Sequence, residues 1–426
     1  MTGIQYDDFL DLDHEPADSD LVCSFYVEPG ADMDVESAAA RVASESSNGT
    51  WAALDVEADV SRLSAVACGI DEAAPREGGG EAAHEVTVAY PEELFEPGSL
   101  PQVLSCIAGN IMGMKAVDRI RLDDCDWPAG LATSFPGPQY GRDVRTELLD
   151  AAGRPFLATV PKPKVGLPTD VHAQVGYDAW IGGLDLLKDD ENLTDQSFNA
   201  FRDRVDESLA ARDRAEDETG ETKGYLINVT APATEMLDRV DYVAAQDGDF
   251  VMVDVVTAGW GALQSVRDRC EDHGLAIHAH RAMHAAFDRV PTHGVSMRCI
   301  AQFSRLAGVD HIHTGTADLG KLENEDTVGI NEWLGSELHG LTDVLPVASG
   351  GLHPGLIPAL FDAVGTDVGV QVGGGVHGHP DGTEAGARAF RAAVEAAIEG
   401  EPLERRAESV PELAVALEKW GTETPR

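Results

Sequence analysis

Beyond about Gly153 the chain settles into a repeating texture, in which short apolar runs are separated by longer stretches with helical spacing. Eight runs can be counted, at 156–161, 183–187, 225–229, 250–256, 275–280, 311–315, 344–348 and 368–372. A continuous apolar run of this length suits a strand buried on both faces, and strands alternating with helices imply a parallel sheet. Eight such units predict a (β/α)8 barrel, which carries its active site at the C-terminal ends of the strands. The earlier part of the chain has a different rhythm. Segments 21–29 and 85–90 read as strands, 34–46 is helical by its alanine-rich spacing, and a helix over about 102–114 leads into the alternating 117–122. The glycine-rich stretch 75–81 predicts a surface loop. The pattern therefore divides the chain into an N-terminal α+β domain over 1–135 and a barrel with C-terminal helices over 136–426.

Polar residues gather where the runs end. The first run ends in Pro-Lys162-Pro-Lys164. Residues two apart in an extended segment share a face, so both ammonium groups can enter one pocket, where mutual repulsion lowers a lysine pKa toward that of a general base. A basic surface turn is the plainer alternative. The second run ends in Lys188-Asp-Asp190-Glu191, which offers hard oxygen ligands to a magnesium-type ion, although such a run is equally a common solvated stretch. A lysine among three carboxylates keeps its proton unless CO2 carbamylates it. The fifth and sixth runs end in His278-Ala-His280-Arg281 and His311-Ile-His313, pairs of imidazoles at alternate positions beside a fixed cation. Core and catalytic roles weigh equally for any one of these histidines, and His278, His284 and His311 are read as structural. The seventh and eighth runs end in Ser349-Gly350-Gly351 and Gly373-Gly374-Gly375. Glycine backbones let N–H groups converge on an anion, and the loops after strands seven and eight are the usual phosphate site of such barrels. Between them, a glycine-containing loop carries Lys321 and can close over a bound anion.

Composition sharpens this picture. With 75 acidic against 31 basic residues the net charge is −44, carried along the whole chain. Such self-repulsion is relieved when the Debye length falls to about 3 Å at molar salt. A cytoplasmic protein of a salt-accumulating organism is the expected setting, with an acidic binder of cations or basic partners as the alternative. Nucleic acid is excluded as a natural partner, because its phosphates would be repelled. No apolar run approaches a membrane span, and the acidic start does not resemble a signal peptide. Only seven of the 31 basic residues are lysines, so those that remain at the strand ends are there for the properties of an amine. The six scattered cysteines, without C-x-x-C spacing, read as reduced thiols.

Together these segments resemble the large subunit of ribulose-1,5-bisphosphate carboxylase/oxygenase (RuBisCO) over nearly the full length. The likeness is carried by Cys-Ser-Phe-Tyr-Val-Glu-Pro at 23–29, Glu-Ser-Ser-Asn-Gly-Thr-Trp at 45–51, Gly109-Asn110, the run 182–192 and His280-Arg-Ala-Met-His284. Val160-Pro-Lys-Pro-Lys164 matches the archaeal form III wording. The resemblance implies a ferredoxin-like N-terminal domain ahead of the barrel, and a carbon–carbon lyase that adds CO2 (or O2) to ribulose 1,5-bisphosphate, giving two 3-phosphoglycerates. It implies Mg²⁺ held by Lys188, carbamylated by activator CO2, with Asp190 and Glu191. Lys162 becomes the acid/base for enolisation and the last protonation, the Lys188 carbamate takes the C3 proton, and Lys164, His280 and Asn110 tune and orient these groups. One phosphate falls to Arg281, His313 and Ser349, the other to Gly351, Gly373, Gly374, Thr50 and Trp51, with Gly350 in the same turn. Glu45 pairs with Lys321, which closes over the gaseous substrate. Glu45, Thr50, Trp51 and Asn110 reach a neighbouring subunit's barrel, so a homodimer or ring of dimers with shared sites is implied, without a small subunit. In form III the sugar bisphosphate comes from nucleoside or AMP breakdown.

Two departures stand out. The loop before Lys321 is one residue longer than the usual form, with Asn324 replacing a common glycine, and Val160 lacks the hydroxyl of the plant-like threonine. Two rival readings remain: a RuBisCO-like enolase or isomerase that uses the same metal site without carboxylation, and a non-catalytic scaffold on a barrel fold. From charge alone, the protein is expected to unfold as KCl falls below about molar concentration. Circular dichroism across a KCl series checks this, and full stability in dilute buffer would refute it.

Overall fold

The computed structural model describes residues 6–49, 60–320 and 326–424. Its two compact units are described separately. The first comprises 1–137 together with 283–307 and 337–341, so two segments from beyond position 135 fold with it. Period-2 alternation makes β1 (Leu21–Pro29), whose residues on one face, Cys23, Phe25 and Val27, are wholly buried. It is followed by α1 (Val35–Glu45), capped by the Asp34 carboxylate accepting from Ser37 N at 2.7 Å. Then come β2 (Val66–Glu72), β3 (His84–Tyr90), the helix α2 (Leu100–Ile107) and β4 (Val117–Asp126). The strands pair antiparallel in the order β4-β1-β3-β2, which with the βαββαβ succession is the ferredoxin-like arrangement. A short fifth strand, β10 (Gly294–Val295), adds parallel to the β4 edge. Behind it the helix Met297–Ala307 is tied to β4 by Gln302 Nε2 donating to Cys125 O at 3.1 Å.

Sequence pattern missed β2. Its residues Val-Ala-Cys-Gly-Ile-Asp-Glu are mostly half-buried to exposed, so the apolar signal is weak, and register with β3 supplies the rest. The helix expected to reach 114 stops at Ile107 and continues only as a 3-10 turn over Asn110–Gly113, since Gly109 interrupts it.

The second unit is the barrel. Eight strands lie at the predicted runs: β5 (Leu157–Thr159), β6 (Leu186–Lys188), β7 (Gly224–Asn228), β8 (Phe250–Asp254), β9 (Ala276–His280), β11 (His311–His313), β12 (Leu345–Ser349) and β13 (Gly369–Gln371). All pair parallel, and His311 opposite His278 closes the ring. Alternation sends Phe156, Ala158, Leu186, Leu226, Phe250 and Met252 to one buried cluster, while Leu157, Leu184 and Val370 pack with helix residues such as Phe390 in another. Glycine is required at 369, where a Cβ would come within 2.3 Å of the Phe156 ring.

The opposite, N-terminal ends of the strands are anchored by buried carboxylates. Asp310 accepts from the backbone N–H groups of Tyr140, Gly141 and Ile277 at 2.6, 2.9 and 2.7 Å. Asp185 accepts from Leu157 N at 2.7 Å and pairs with Arg154. The six cysteines are free thiols, with Cys23 and Cys125 Sγ atoms 3.6 Å apart. No helix among the described residues is long and apolar enough to cross a membrane. Replacing Asp310 with alanine strands three buried donors, so Asp310→Ala is expected to cost about 3 kcal/mol or more, measurable from the denaturant midpoint in molar KCl.

Candidate active site

Each strand of a parallel barrel delivers its last residues to the same end, which gathers the run-end residues here. A cavity of ≈ 770 Å³ is lined by Lys162 and Lys164 after β5, Asp190 and Glu191 after β6, His280 of β9, Ser349, Gly350 and Gly351 after β12, and Gly373 and Gly374 after β13. Lys162 Nζ lies 3.4 Å from Asp190 Oδ2, and Lys164 Nζ 3.0 Å from Glu191 Oε1. His280 bridges two carboxylates, with Nδ1 3.1 Å from Asp254 Oδ1 and Nε2 3.6 Å from Glu191 Oε2.

The charge states follow from burial more than from the repulsion expected between the two lysines. Burial pushes the Lys162 amine down against the pull of Asp190 and Glu191, and Lys164 adds only the smallest contribution. Lys164 moves the other way, raised by its hydrogen bond to Glu191. Lys188 is fully enclosed, donating to Asp189 O at 2.8 Å. Burial lowers its pKa in spite of the four surrounding carboxylates, so the expectation that these would hold its proton fails to count desolvation. For Glu191 burial works against ionisation, but the fields of His280 and Lys188 outweigh it and bring the carboxyl down to about 2.

In the Lys-Asp-Asp-Glu run the alternation of faces separates the acids. Asp189 turns away from the cavity into a buried cage, where Oδ2 accepts from Arg204 Nε at 3.2 Å and Asn228 N at 3.0 Å and Oδ1 from the Tyr225 hydroxyl at 2.6 Å. Asp190 Oδ1 accepts from Asn192 Nδ2 at 2.9 Å. Among the described residues no three His, Cys, Asp or Glu side chains are grouped to hold a metal ion. Asp190 and Glu191 bring two carboxylates to the cavity, with the enclosed Lys188 two residues before Asp190 in the chain.

Behind the cavity the histidines form a dry stack. His278 Nε2 and His313 Nε2 are 2.8 Å apart, so one must donate and the other accept. His311 sits between the Phe156 and Phe250 rings, and burial lowers it to about 3. Arg281 and His313 are buried at this end of the barrel but do not line the cavity. His284 belongs to the first unit, 3.8 Å from Asp288. Glu45, half-buried at the end of α1, and Asn110, exposed, also belong to that unit. Thr50, Trp51 and Lys321 lie outside the described residues.

The glycine turns are required by geometry. Gly350 and Gly351 have φ of 124° and 81°, a region that side chains disfavour. A Cβ on Gly373 would sit 3.0 Å from Lys162 Cε. In the lengthened loop, Ala317 and Asp318 take φ of 47° and 63°, and a Cβ on Gly320 would strike the Gly350 carbonyl oxygen.

Comparison with known proteins agrees with this arrangement. Residues 142–420 match the catalytic domain of the ribulose bisphosphate carboxylase large chain, and residues 8–131 match its N-terminal domain. The chain belongs to the ribulose bisphosphate carboxylase large-chain family. A family member from Pyrococcus abyssi named ribulose bisphosphate carboxylase is 49% identical over 423 residues, 99% of this chain and 98% of its own length. One from Archaeoglobus fulgidus is 42% identical over 99% of this chain and 98% of its own. Among solved structures, the octameric ribulose-1,5-bisphosphate carboxylase/oxygenase of Pyrococcus horikoshii, in complex with sulfate, superposes with a TM-score of 0.94 at 47% identity, covering 99% of this chain and 98% of that one. The dimeric archaeal Rubisco of Hyperthermus butylicus superposes at 0.91 with 45% identity, covering 98% and 99%.

Several residues at the site escaped the family reading of the sequence. Gln371 lines the cavity and donates to Ser349 Oγ at 3.1 Å, and Asp254 orients His280. His353 and Trp420 stack near the glycine turns, with ring centroids 6.0 Å apart. Gln371 and Asp254 lie inside the predicted runs 368–372 and 250–256 and end the observed strands, and a polar residue within an apolar run was a usable signal. Trp420 arrives from the far end of the sequence and gave none.

The opposed shifts of the two lysines can be read directly. A lowered pKa leaves more neutral amine at a given pH, so acetylation of Lys162 relative to Lys164 is expected to increase as pH falls from about 10 toward 8, although Lys164 is the more exposed. Peptide mapping gives the ratio, and a ratio that stays flat or falls contradicts the assignment.

Proposed function

We propose that the chain is a ribulose-bisphosphate carboxylase, adding CO2 (or O2) to ribulose 1,5-bisphosphate with two 3-phosphoglycerates as the carboxylation product. The observation that carries this is the convergence, in one cavity, of two lysines, two carboxylates, a histidine and two glycine turns. A bisphosphate needs two anion sites with proton-transfer groups between them. Gly373 and Gly374 with Gly351 serve one end, in this reading with Thr50 and Trp51. Arg281, His313 and Ser349 serve the other, with Gly350 next to Ser349. Lys162, its amine depressed by burial, gives up its proton more readily than an ordinary lysine, which suits it to an acid/base role. His280, held at Nδ1 by Asp254, keeps its Nε2 edge toward Glu191, while Lys164 holds the other oxygen of that carboxylate.

The donor set fits Mg²⁺ with a carbamate on Lys188. Two hard carboxylates are present at Asp190 and Glu191, and burial favours the neutral Lys188 amine, whose lone pair would attack CO2 and lose a proton to give the carbamate. Asp190, Glu191 and a carbamylated Lys188 would hold Mg²⁺, which would supply Lewis-acid stabilisation of negative charge developing on the sugar. Asn110 would help to orient Lys162 and Lys188, and Lys321, paired with Glu45, would meet charge that develops only when CO2 adds, which is selective stabilisation of the transition state.

The same reading includes an archaeal form III enzyme of a halophile, fed by nucleoside or AMP breakdown. It is cytoplasmic, with domains over 1–135 and 136–426, and works without a small subunit as a dimer or ring of dimers sharing sites. Dimeric and octameric relatives support self-association. One observation favours an enolase or isomerase instead: the lengthened loop ahead of Lys321 places two non-glycine residues, Ala317 and Asp318, in left-handed conformations.

Fixation of labelled bicarbonate into 3-phosphoglycerate, with ribulose bisphosphate and Mg²⁺ in molar KCl, separates the two. The native chain is expected to fix carbon, Lys162→Ala to lose about 10²- to 10⁴-fold and Lys321→Ala about a hundredfold or more, with Lys188→Ala inactive. C3 proton exchange without fixation would put the isomerase reading first.

A further inference from the structure

The two hydroxyl contacts of His377, whose ring also has the Val160 backbone carbonyl as an acceptor, fit one proton arrangement. The Thr159 hydroxyl lies 2.6 Å from Val372 O, an acceptor only, so its one proton points there. The 2.9 Å contact between Thr159 Oγ1 and His377 Nε2 must then be Nε2–H donating to the hydroxyl oxygen. That leaves Nδ1 of the neutral ring as an acceptor, matched by the Thr383 hydroxyl at 3.1 Å. The ring is mostly buried and is held neutral, its pKa pushed down to about 4 by burial and then by Lys162. The chain of bonds therefore runs one way, from Thr383 through His377 and Thr159 to Val372.

This chain begins where the barrel's own pairing ends. Between β13 and β5 the last backbone bond is Val372 N donating to Ala158 O at 2.9 Å, and the Thr159 hydroxyl captures the carbonyl of Val372, the residue just before Gly373. His377 is joined to the same turn through its backbone, its N–H donating to Gly373 O at 3.1 Å. Gly373 in turn supports the Lys162 stem, since a Cβ there would lie 3.0 Å from Lys162 Cε. A shift of the His377 ring therefore displaces both the glycine turn and the lysine that rests on it.

We propose that His377, acting through Thr159, is a positioning residue that sets the Gly373–Gly374 turn and Lys162 in register with one another. The inference rests on the reading of that turn as a phosphate site and of Lys162 as the acid/base. His377→Leu keeps the bulk and removes both ring nitrogens, Thr159→Val removes the hydroxyl at constant shape, and His377→Gln restores an N–H donor at the reach of Nε2.

Binding of ribulose 1,5-bisphosphate is measured by calorimetry in molar KCl, together with KM and kcat. His377→Leu and Thr159→Val are each expected to weaken binding about tenfold, the equivalent of one or two net hydrogen bonds. The double variant should lose little more, because both substitutions break one chain. His377→Gln should recover most of the loss. A merely structural role predicts reduced thermal stability without that rescue. A second measurement needs no substrate: amide hydrogen exchange of the 372–375 turn should speed up about threefold or more in His377→Leu. Unchanged exchange in a folded His377→Leu or Thr159→Val protein overturns the proposal, as do strictly additive losses in binding. Carboxylation by the native enzyme, assayed in parallel, tests the functional reading separately.

Discussion

The buried ion pair between Asp189 and Arg204 is the constraint on which the rest of the site depends. Both side chains are fully enclosed, and the carboxylate is satisfied by Arg204, Tyr225 and the Asn228 backbone, with His172 Nε2 3.4 Å away. Removing one partner of such a pair leaves an uncompensated charge and typically costs 3–5 kcal/mol. Holding Asp189 on the outer face of β6 obliges Lys188 and Asp190, its neighbours in an alternating segment, to face the other way. That choice decides which carboxylate of the run serves the cavity. It also puts the Lys188 amine where burial can deprive it of its proton.

Burial governs the chemistry here more than net charge does. A chain with charge −44 would be expected to hold its amines protonated, yet Lys162 and Lys188 are both shifted down because their desolvation exceeds the attraction of nearby acids. On the surface the relation is reversed. Arginines there meet several carboxylates each, as Arg406 does with Glu395, Glu399 and Glu401, and Arg142 with Asp343 and Asp367. Such exposed pairs contribute little singly. They relieve part of the acidic field. The division is by burial and not by residue type, since Arg204 and Arg305 are fully enclosed. Lys223 is likewise buried, donating to Leu184 O and Glu221 away from the cavity.

The sequence by itself determined the eight parallel strands, because burial on both faces leaves most of them a short, largely apolar run, and the residues ending each run, because chain direction alone sends them to one end of a barrel. It also supplied the family likeness, and with it Lys162, Lys188, Asp190, Glu191 and His280. Strand β2 was lost because a half-exposed edge has little apolar signal. Tertiary structure alone decided which of two adjacent aspartates is caged, which lysine is depressed and which raised, and that His377 fastens the last glycine turn to β5. Those outcomes depend on desolvation and on hydrogen bonds between residues as far apart as Thr159 and His377. Neither quantity is a property of local sequence, since both arise only when distant segments exclude water together.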